Sequence, residues 1–221
     1  MGKQGEIKFI SRLTIITTFL MGFLDAFTFV KYDGTFVSAQ TGNMVTMSVK
    51  LFSGNFTGAA SHLIVLGGYA LGAFIGEALI EKLMTKELYR SRLILLFQTL
   101  LIGVLALSQN NLPGSLMIFS LGLLAGYEIT VFRTFYQTTV NNGIMTGNTK
   151  NTMNNLYKTI FNKDKKAQAD FFHLLTVILV FIIGAGSGAL ILKMNGQLVL
   201  WIAFASMALI TLYTTIKSER Q

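Results

Sequence analysis

The segment at residues 36–43 reads FVSAQTGN, and its closing tripeptide Thr-Gly-Asn recurs 105 positions further on, nearly half the chain away. The two copies are Thr41-Gly42-Asn43 and Thr146-Gly147-Asn148. Each copy lies in a moderately apolar segment, residues 34–52 and residues 134–161, that strongly apolar stretches flank. A polar break that occurs twice in matched surroundings predicts a duplicated architecture.

The composition indicates whether the chain folds in water or in a membrane. Charged residues make up 13% of the 221 residues, which is about half the roughly 25% of soluble domains. With a mean hydropathy of +0.57, we expect an all-α membrane protein, a polytopic helical bundle. Cysteine is absent and histidine occurs twice, which excludes disulfides, thiolate chemistry and Cys- or His-rich metal centres. We expect neither a cofactor nor a metal.

Six apolar stretches approach the ~20 residues that a helix needs to cross a bilayer. They comprise residues 9–30, 59–80, 93–108, 114–132, 171–192 and 198–216. If the two Thr-Gly-Asn segments re-enter the membrane or break a helix, the chain has about six spanning helices. If both segments cross, it has eight helices.

The placement of the basic residues distinguishes the two models. With six spans and a cytoplasmic N-terminus, 15 of the 18 Lys and Arg residues lie on the cytoplasmic side, whereas eight spans give a split of roughly 10 to 8. Short loops follow the positive-inside rule, so six spans with both termini cytoplasmic are favoured. The fifteen are Lys3, Lys8, Arg12, Lys82, Lys86, Arg90, Arg92, Arg133, Lys150, Lys158, Lys163, Lys165, Lys166, Lys217 and Arg220. The membrane then explains the net charge of +8, and we expect no nucleic-acid partner.

A glycine motif is duplicated as well. Residues 72–76 read GAFIG and residues 184–188 read GAGSG, 112 positions apart. We therefore expect two repeats, at about 9–108 and about 114–216, in one membrane domain that covers residues 1–221. Three crossings per repeat is an odd number, so the second repeat must be inverted, as in many channels and secondary transporters.

The first Thr-Gly-Asn copy predicts a short helix that starts inside the membrane. Residues 44–52 form this predicted helix, with Asn43 as its N-cap and Ser53-Gly54 as its stop. Its free N–H groups would then point at the membrane centre and line a solute path. The alternative is a structural helix break that neighbouring helices satisfy, without any solute. The predicted path consists of Asp25, Gln40, Thr41, Gly42, Asn43, Glu128, Thr146, Gly147 and Asn148.

Three carboxylates fall within the predicted spans, where acidic residues usually mark functional sites. We expect Asp25 and Glu128 either to carry a proton or bind a cation, or to pair with Lys31 and Arg133 as buried struts. Glu77 lies near a basic loop, and we expect its side chain to reach the membrane interface.

Glycine-rich helix faces predict close helix packing, within the chain or between the subunits of a homo-oligomer. They are formed by Gly68, Gly72, Gly76, Gly122, Gly126, Gly184 and Gly188. His62 and His173 each lie near the start of a span that carries such a face, and we expect both to anchor the chain at the interface, with a proton relay as the alternative.

Residues 22–26 read GFLDA, and together with FVSAQTGN they resemble the signature of the YoaK-like family of bacterial transmembrane proteins, a domain-of-unknown-function family. The resemblance covers most of the chain. It implies a multi-pass protein of the bacterial inner membrane and supplies no substrate. The family usually has an amide residue at the position of Ile129, where this chain departs from the pattern.

We expect a transporter or channel for an unknown small solute, embedded in the lipid bilayer. The alternative is a membrane scaffold or accessory subunit whose glycine faces bind a partner. An intramembrane enzyme ranks third, because the sequence contains no Ser/His, Cys/His, paired-Asp or metal-ligand set at a recognisable spacing.

Overall fold

The computed structural model describes residues 3–82 and 87–219, and within them it contains eight α-helices and one short hairpin. The helices are α1 (Lys3–Lys31), α2 (Gln40–Phe52), α3 (Phe56–Lys82), α4 (Glu87–Ser108), α5 (Gly114–Val131), α6 (Met145–Phe161), α7 (Lys165–Met194) and α8 (Leu198–Glu219). Strands β1 (Thr134–Phe135) and β2 (Thr138–Thr139) pair antiparallel between α5 and α6.

Each of the six predicted spans corresponds to one long helix, and only residue 132, the C-cap of α5, lies outside its helix. Helices α1, α3, α5, α7 and α8 are long and apolar enough to cross a membrane, and α4 contributes the shorter apolar stretch Leu93–Ser108. The described part of the chain is therefore a helical membrane bundle. Two of the cations that we expect in cytoplasmic segments, Lys86 and Arg220, lie outside the described residues.

Helix α2 begins earlier than the sequence suggested. It starts at Gln40 after Ala39, and no side chain caps it, so the prediction that Asn43 is the N-cap was wrong. The predicted stop is confirmed, because Ser53 is the C-cap and Gly54 has a φ of 84°, which glycine adopts without strain.

The long helices pack crosswise between the two halves of the chain. Helix α1 packs on α7, α3 packs on α5, and α4 packs on α8, while α2 lies on α3 and α6 lies on α7. Large side chains that α1 and α5 bury completely, such as Phe27 and Tyr127, belong to the main hydrophobic core.

All seven predicted packing glycines lie at crossings within the chain. A Cβ added to Gly72 would collide with the carbonyl oxygen of Leu123 on α5, and one added to Gly184 would collide with that of Phe19 on α1. Close packing at the glycine faces is thus present within the chain. The homo-oligomer stays a prediction.

The hairpin was not expected from the sequence, which assigned its residues to the second Thr-Gly-Asn segment. It lies against α1, where the hydroxyl of Thr14 donates to the carbonyl oxygen of Thr134 at 2.7 Å. The hairpin therefore connects the second half of the chain to the first helix.

Candidate functional site at the two asparagine clamps

The side chain of Asn43 holds the backbone of Phe36. Its Oδ1 accepts from the N–H of Phe36 at 3.0 Å, and its Nδ2 donates to the carbonyl oxygen of Phe36 at 2.6 Å. We call this two-bond arrangement the first clamp. It supplies partners for two backbone groups in the turn before α2, where the helix itself offers none.

A chain of polar side chains extends from the first clamp. Nδ2 of Asn43 also donates to Oε1 of Gln40 at 2.9 Å, and Nε2 of Gln40 donates to the carbonyl oxygen of Val37 at 2.8 Å. Gln40 and Asn43 are the two buried residues of α2. Both predicted path residues thus belong to one hydrogen-bonded group.

His62 of α3 closes the other end of this chain. Its Nδ1 lies 3.2 Å from Oδ1 of Asn43 and its Nε2 lies 3.2 Å from Nζ of Lys50. The acceptor Oδ1 requires the proton on Nδ1, and Nε2 then accepts from the ammonium group. His62 has no exposed surface, so the prediction of an interfacial anchor was wrong for this residue.

The second Thr-Gly-Asn copy builds the same arrangement. Oδ1 of Asn148 accepts from the N–H of Asn141 at 3.0 Å, and its Nδ2 donates to the carbonyl oxygen of Asn141 at 2.6 Å. We call this the second clamp. Among the described residues, its one further hydrogen-bond contact is with the weak acceptor Sδ of Met145, at 3.7 Å.

Asp25 of α1 binds the loop that precedes α2. Its Oδ1 accepts from the N–H groups of Val37 and Ser38 at 2.7 and 2.9 Å, and its Oδ2 contacts the hydroxyl of Ser38. Lys31 lies over the rings of Phe27 and Tyr32, so the predicted strut between Asp25 and Lys31 is not formed.

Ser38 joins the two halves of the chain. Its Oγ lies 2.9 Å from the carbonyl oxygen of Gly143, which is 105 positions further on. A Cβ added to Gly143 would lie 2.7 Å from the Cβ of Ser38 and 2.8 Å from Ile129. Only a residue without a side chain allows this approach of the two loops. We call Asp25, Val37, Ser38 and Gly143 the junction.

Glu128 of α5 stands apart from the junction. It has no exposed surface, and neither of its carboxylate oxygens has a hydrogen-bond partner among the described residues. Arg133, which we considered as its partner, instead lies 3.6 Å from Glu77 in a partly exposed ion pair. Glu128 is therefore a buried carboxylate without compensation, which is costly when ionised.

The remaining predicted path residues flank the clamps. Thr41 and Thr146 are exposed on the first turns of α2 and α6. A Cβ added to Gly42 would lie 3.3 Å from the ring of Phe36, and one added to Gly147 would lie 3.6 Å from the side chain of Asn141. The first Thr-Gly-Asn copy thus lies beside the junction. The second copy follows Gly143, which is itself part of the junction.

Sequence reasoning missed a polar cluster near the start of α7. The hydroxyl of Thr138 donates to Oδ1 of Asp170 at 2.5 Å and lies 2.8 Å from Nδ1 of His173. Tyr136 stacks on His173, and these residues line a cleft of about 290 Å³. The hydroxyl lies between carboxylate and imidazole, whereas a catalytic triad places the imidazole in the middle. Thr138 and His173 are 35 positions apart, so no local pattern indicated the cluster.

Fold and site together define a helical membrane protein with a buried polar centre between the two halves of its chain. A family model described as a protein of unknown function, DUF1275, matches residues 13–213. The chain belongs to this family, and the family resemblance seen in the sequence is confirmed. No curated protein and no solved structure matches the sequence.

Proposed function

We propose that the chain is a transporter or channel for a small solute, with its path at the two clamps and the junction. The observation that carries the proposal is the contact between Ser38 and Gly143, because the two residues occupy matched positions, each three residues before a copy of Thr-Gly-Asn. Matched positions of two repeats meet where the repeats face each other, and transporter sites lie at such places.

The crosswise packing supports an inverted repeat. In chain order, α1, α3 and α4 of the first half correspond to α5, α7 and α8 of the second half. The contact of α1 with α7 therefore corresponds to the contact of α5 with α3, and α4 contacts its own counterpart α8. Each half has three long helices, so the exchange requires the second half to cross the membrane in the opposite direction. The repeats proposed for residues 9–108 and 114–216 fit this exchange.

The dimensions of α2 support a re-entrant segment. Its 13 residues correspond to about 20 Å of helix, against the ~30 Å of the hydrocarbon core. The 17 residues of α6 correspond to about 25 Å. The length of α2 therefore favours a re-entrant segment, whereas α6, only one residue shorter than α5, is set apart by polar residues such as Lys150, Asn154 and Lys158. Together these features favour six spans over eight.

Orientation and location follow from charge and family. Because the six-span model puts 15 of the 18 cations on one side, we propose that both termini are cytoplasmic and that the membrane is the bacterial inner membrane. The partners are then the lipid bilayer and one small solute. We also propose that the chain is not an enzyme, and that nucleic acid is not its partner.

Transport assays on the reconstituted chain test this proposal. Vesicles that contain the purified protein are supplied with labelled amino acids, sugars, organic acids, and sodium and potassium ions. We expect uptake of one solute class above that of empty vesicles, and a large loss of uptake in Asp25→Asn and Asn43→Ala. Gly67→Ala is the matched control, because a Cβ at Gly67 meets nothing within 4 Å. The absence of uptake for every solute, with Asp25→Asn and Asn43→Ala behaving like wild type, would contradict the proposal.

A scaffold or accessory subunit is the second candidate. The observation that favours it is that both clamps bind the chain's own backbone groups, as a structural helix break requires. This candidate predicts a stable protein partner that co-purifies from mild detergent, together with unchanged partner binding in Asp25→Asn. Solute uptake in pure vesicles would decide against it.

A further inference from the structure

The hydroxyl of Ser38 lies between two hydrogen-bond acceptors. Its Oγ contacts Oδ2 of Asp25 and lies 2.9 Å from the carbonyl oxygen of Gly143. A hydroxyl group has one proton, and an ionised carboxylate and a carbonyl both accept only. When Asp25 is ionised, Ser38 can therefore bond fully to one of these neighbours and not to both.

One additional proton removes this conflict. A neutral Asp25 donates from Oδ2 to Oγ of Ser38, and Ser38 then donates to the carbonyl oxygen of Gly143. Oδ1 keeps the two N–H bonds from Val37 and Ser38. Asp25 and Ser38 are 4% and 1% exposed, so water does not readily replace a missing partner, and an unpaired group there is costly.

We propose that Asp25 is a proton-binding site whose proton links the loop before α2 to the loop before α6. When the proton leaves for the aqueous phase, the charged carboxylate becomes the stronger acceptor and the Ser38 hydroxyl turns to it. The carbonyl of Gly143 loses its donor, and the two loops separate. The inference rests on the proposed function and deepens it, because the proton becomes the coupling ion of the same polar centre.

Other ionisable groups lie on the elements around Asp25. They are Tyr127 and Glu128 on α5, Lys165, Lys166, Asp170, His173 and Lys193 on α7, Tyr213 on α8, Tyr136 in the hairpin, and Tyr32 and Asp33 in the loop after α1. The hydrogen bonds to the Asp25 carboxylate come from Val37 and Ser38, so these groups act on it only from a distance. Glu128 is the group to be separated from Asp25 experimentally, because it is also a buried carboxylate.

Infrared difference spectra of the reconstituted full chain test for the proton. We expect a carbonyl band of a protonated carboxylic acid that disappears as the pH is raised. Isotope-labelled aspartate should shift this band, Asp25→Asn should abolish it, and Glu128→Gln should leave it in place. Because isotope labelling needs no variant, the assignment to aspartate survives even if Asp25→Asn fails to fold. A band that is absent, or that only Glu128→Gln removes, overturns the proposal.

Distance measurements test the link between the loops. The chain has no cysteine, so spin labels can be attached to Thr41→Cys and Thr146→Cys, two exposed positions on the first turns of α2 and α6. We expect the distance to lengthen at alkaline pH. Asp25→Asn should hold the short distance at every pH, because its amide donates to Ser38, and Ser38→Ala should hold the long one. Ser38→Thr, which keeps the hydroxyl, should restore the response.

The outcomes separate this inference from the proposed function. A pH-dependent distance that Asp25→Asn abolishes, without uptake of any solute, supports the proton site and contradicts transport. Uptake with a distance that does not depend on pH supports transport and overturns the proton site. An equal pH response in wild type and Asp25→Asn also overturns it.

Discussion

In the first half of the chain, the asparagine of the clamp forms further hydrogen bonds with polar side chains, whereas the asparagine of the second clamp has almost no further partners. Asn43 is shared among Phe36, Gln40 and His62, while Asn148 adds to its own backbone bonds only a weak contact with sulfur. Both clamps bind the backbone of the residue seven positions upstream. Because the two copies share this arrangement, we assign it a structural role in the fold. The additional partners are specific to the first half, and chemistry is expected there.

The buried carboxylates of the two halves also differ in their number of hydrogen-bond partners. Asp25 in the first half receives two backbone N–H groups and one hydroxyl contact. Glu128 in the second half has no partner among the described residues. Gly22 on α1 and Gly126 on α5 make matching close approaches to α7 and α3, so the position that matches Asp25 is Ile129, where the chain departs from the family pattern. The two buried carboxylates are thus not equivalent, although both are isolated charges in an apolar sequence.

The largest expected effect concerns the close helix crossings at glycine, which both halves of the chain have. Gly72→Leu on α3 and Gly184→Leu on α7 each drive a side chain into the backbone of the facing helix, at Leu123 and Phe19. Backbone cannot move aside as a side chain can, so each cost should reach or exceed the upper end of the about 1–3 kcal/mol typical of overpacking. The measurement is the yield of folded protein in detergent by size-exclusion chromatography.

Two exposed glycines on the same helices provide matched controls. Cβ atoms at Gly67 and Gly186 meet nothing within 4 Å, so Gly67→Leu and Gly186→Leu should give normal yields. A normal yield for Gly184→Leu beside a poor yield for Gly72→Leu would break the equivalence of the two crossings.

The second prediction measures the difference between the clamps. Asn148→Ala leaves the N–H and carbonyl of Asn141 without partners. Asn43→Ala does the same to Phe36, and it also removes a hydrogen-bond partner of His62 and of Gln40. Each buried group without a partner costs about 1–3 kcal/mol, so the two additional groups should make Asn43→Ala lower the free energy of unfolding by at least about 2 kcal/mol more than Asn148→Ala does. Unfolding by denaturant in mixed micelles measures both.

A double substitution identifies the source of that difference. If His62 accounts for part of it, His62→Leu combined with Asn43→Ala should cost less than the sum of the two single changes, since the partners are removed together. Equal losses in Asn43→Ala and Asn148→Ala would show that the additional bonds of the first half contribute nothing to stability.

The third prediction uses the carboxylates, for which we expect opposite signs. Asp25→Ala leaves the N–H groups of Val37 and Ser38 without acceptors and should destabilise the protein by at least about 2 kcal/mol, at about 1–3 kcal/mol for each group. Glu128→Leu removes a buried carboxylate that has no partner, and such replacements are often neutral or stabilising. Thermal unfolding in detergent measures the sign, and a strong destabilisation by Glu128→Leu would indicate an unrecognised partner for this residue.

The sequence predicted the elements that the bilayer dictates. A span needs about 20 consecutive apolar residues, and such stretches stand out in a chain as poor in charge as this one. The glycines that α3 and α5 present to each other, and those that α7 presents to α1, were found from their four-residue spacing, because close helix crossings require small residues one turn apart. Asp25 was found because acidic residues are rare in apolar spans.

The sequence did not predict how the polar side chains are used. Asn is a common N-cap, and only the turn at Phe36 shows that Asn43 instead bonds a backbone seven residues before it. The burial of His62 depends on α2 folding back over α3, which no local pattern contains. The hairpin has two-residue strands, too short for a strand periodicity, although the β-branched Thr138 and Thr139 were a weak signal.

The smallest expected effect lies at the rim of the first half. Lys50 donates to Asp33 at 2.5 Å, and the matched positions in the second half are the uncharged Asn155 and Thr138. The hydrogen bond from Lys50, followed by its charge, holds the pKa of Asp33 below its ordinary value. A carboxyl group whose pKa is lowered on folding stabilises the protein above its unfolded pKa, and this contribution is lost as the pH falls through the lowered value. The Asp33 side chain is 74% exposed, so solvent and salt screen most of the gain. The unfolding midpoint of Asp33→Asn should therefore lie slightly below that of wild type at neutral pH, and the two should converge in acid or at high salt. A difference that grows toward acid pH would mean that Asp33 acts through something other than Lys50.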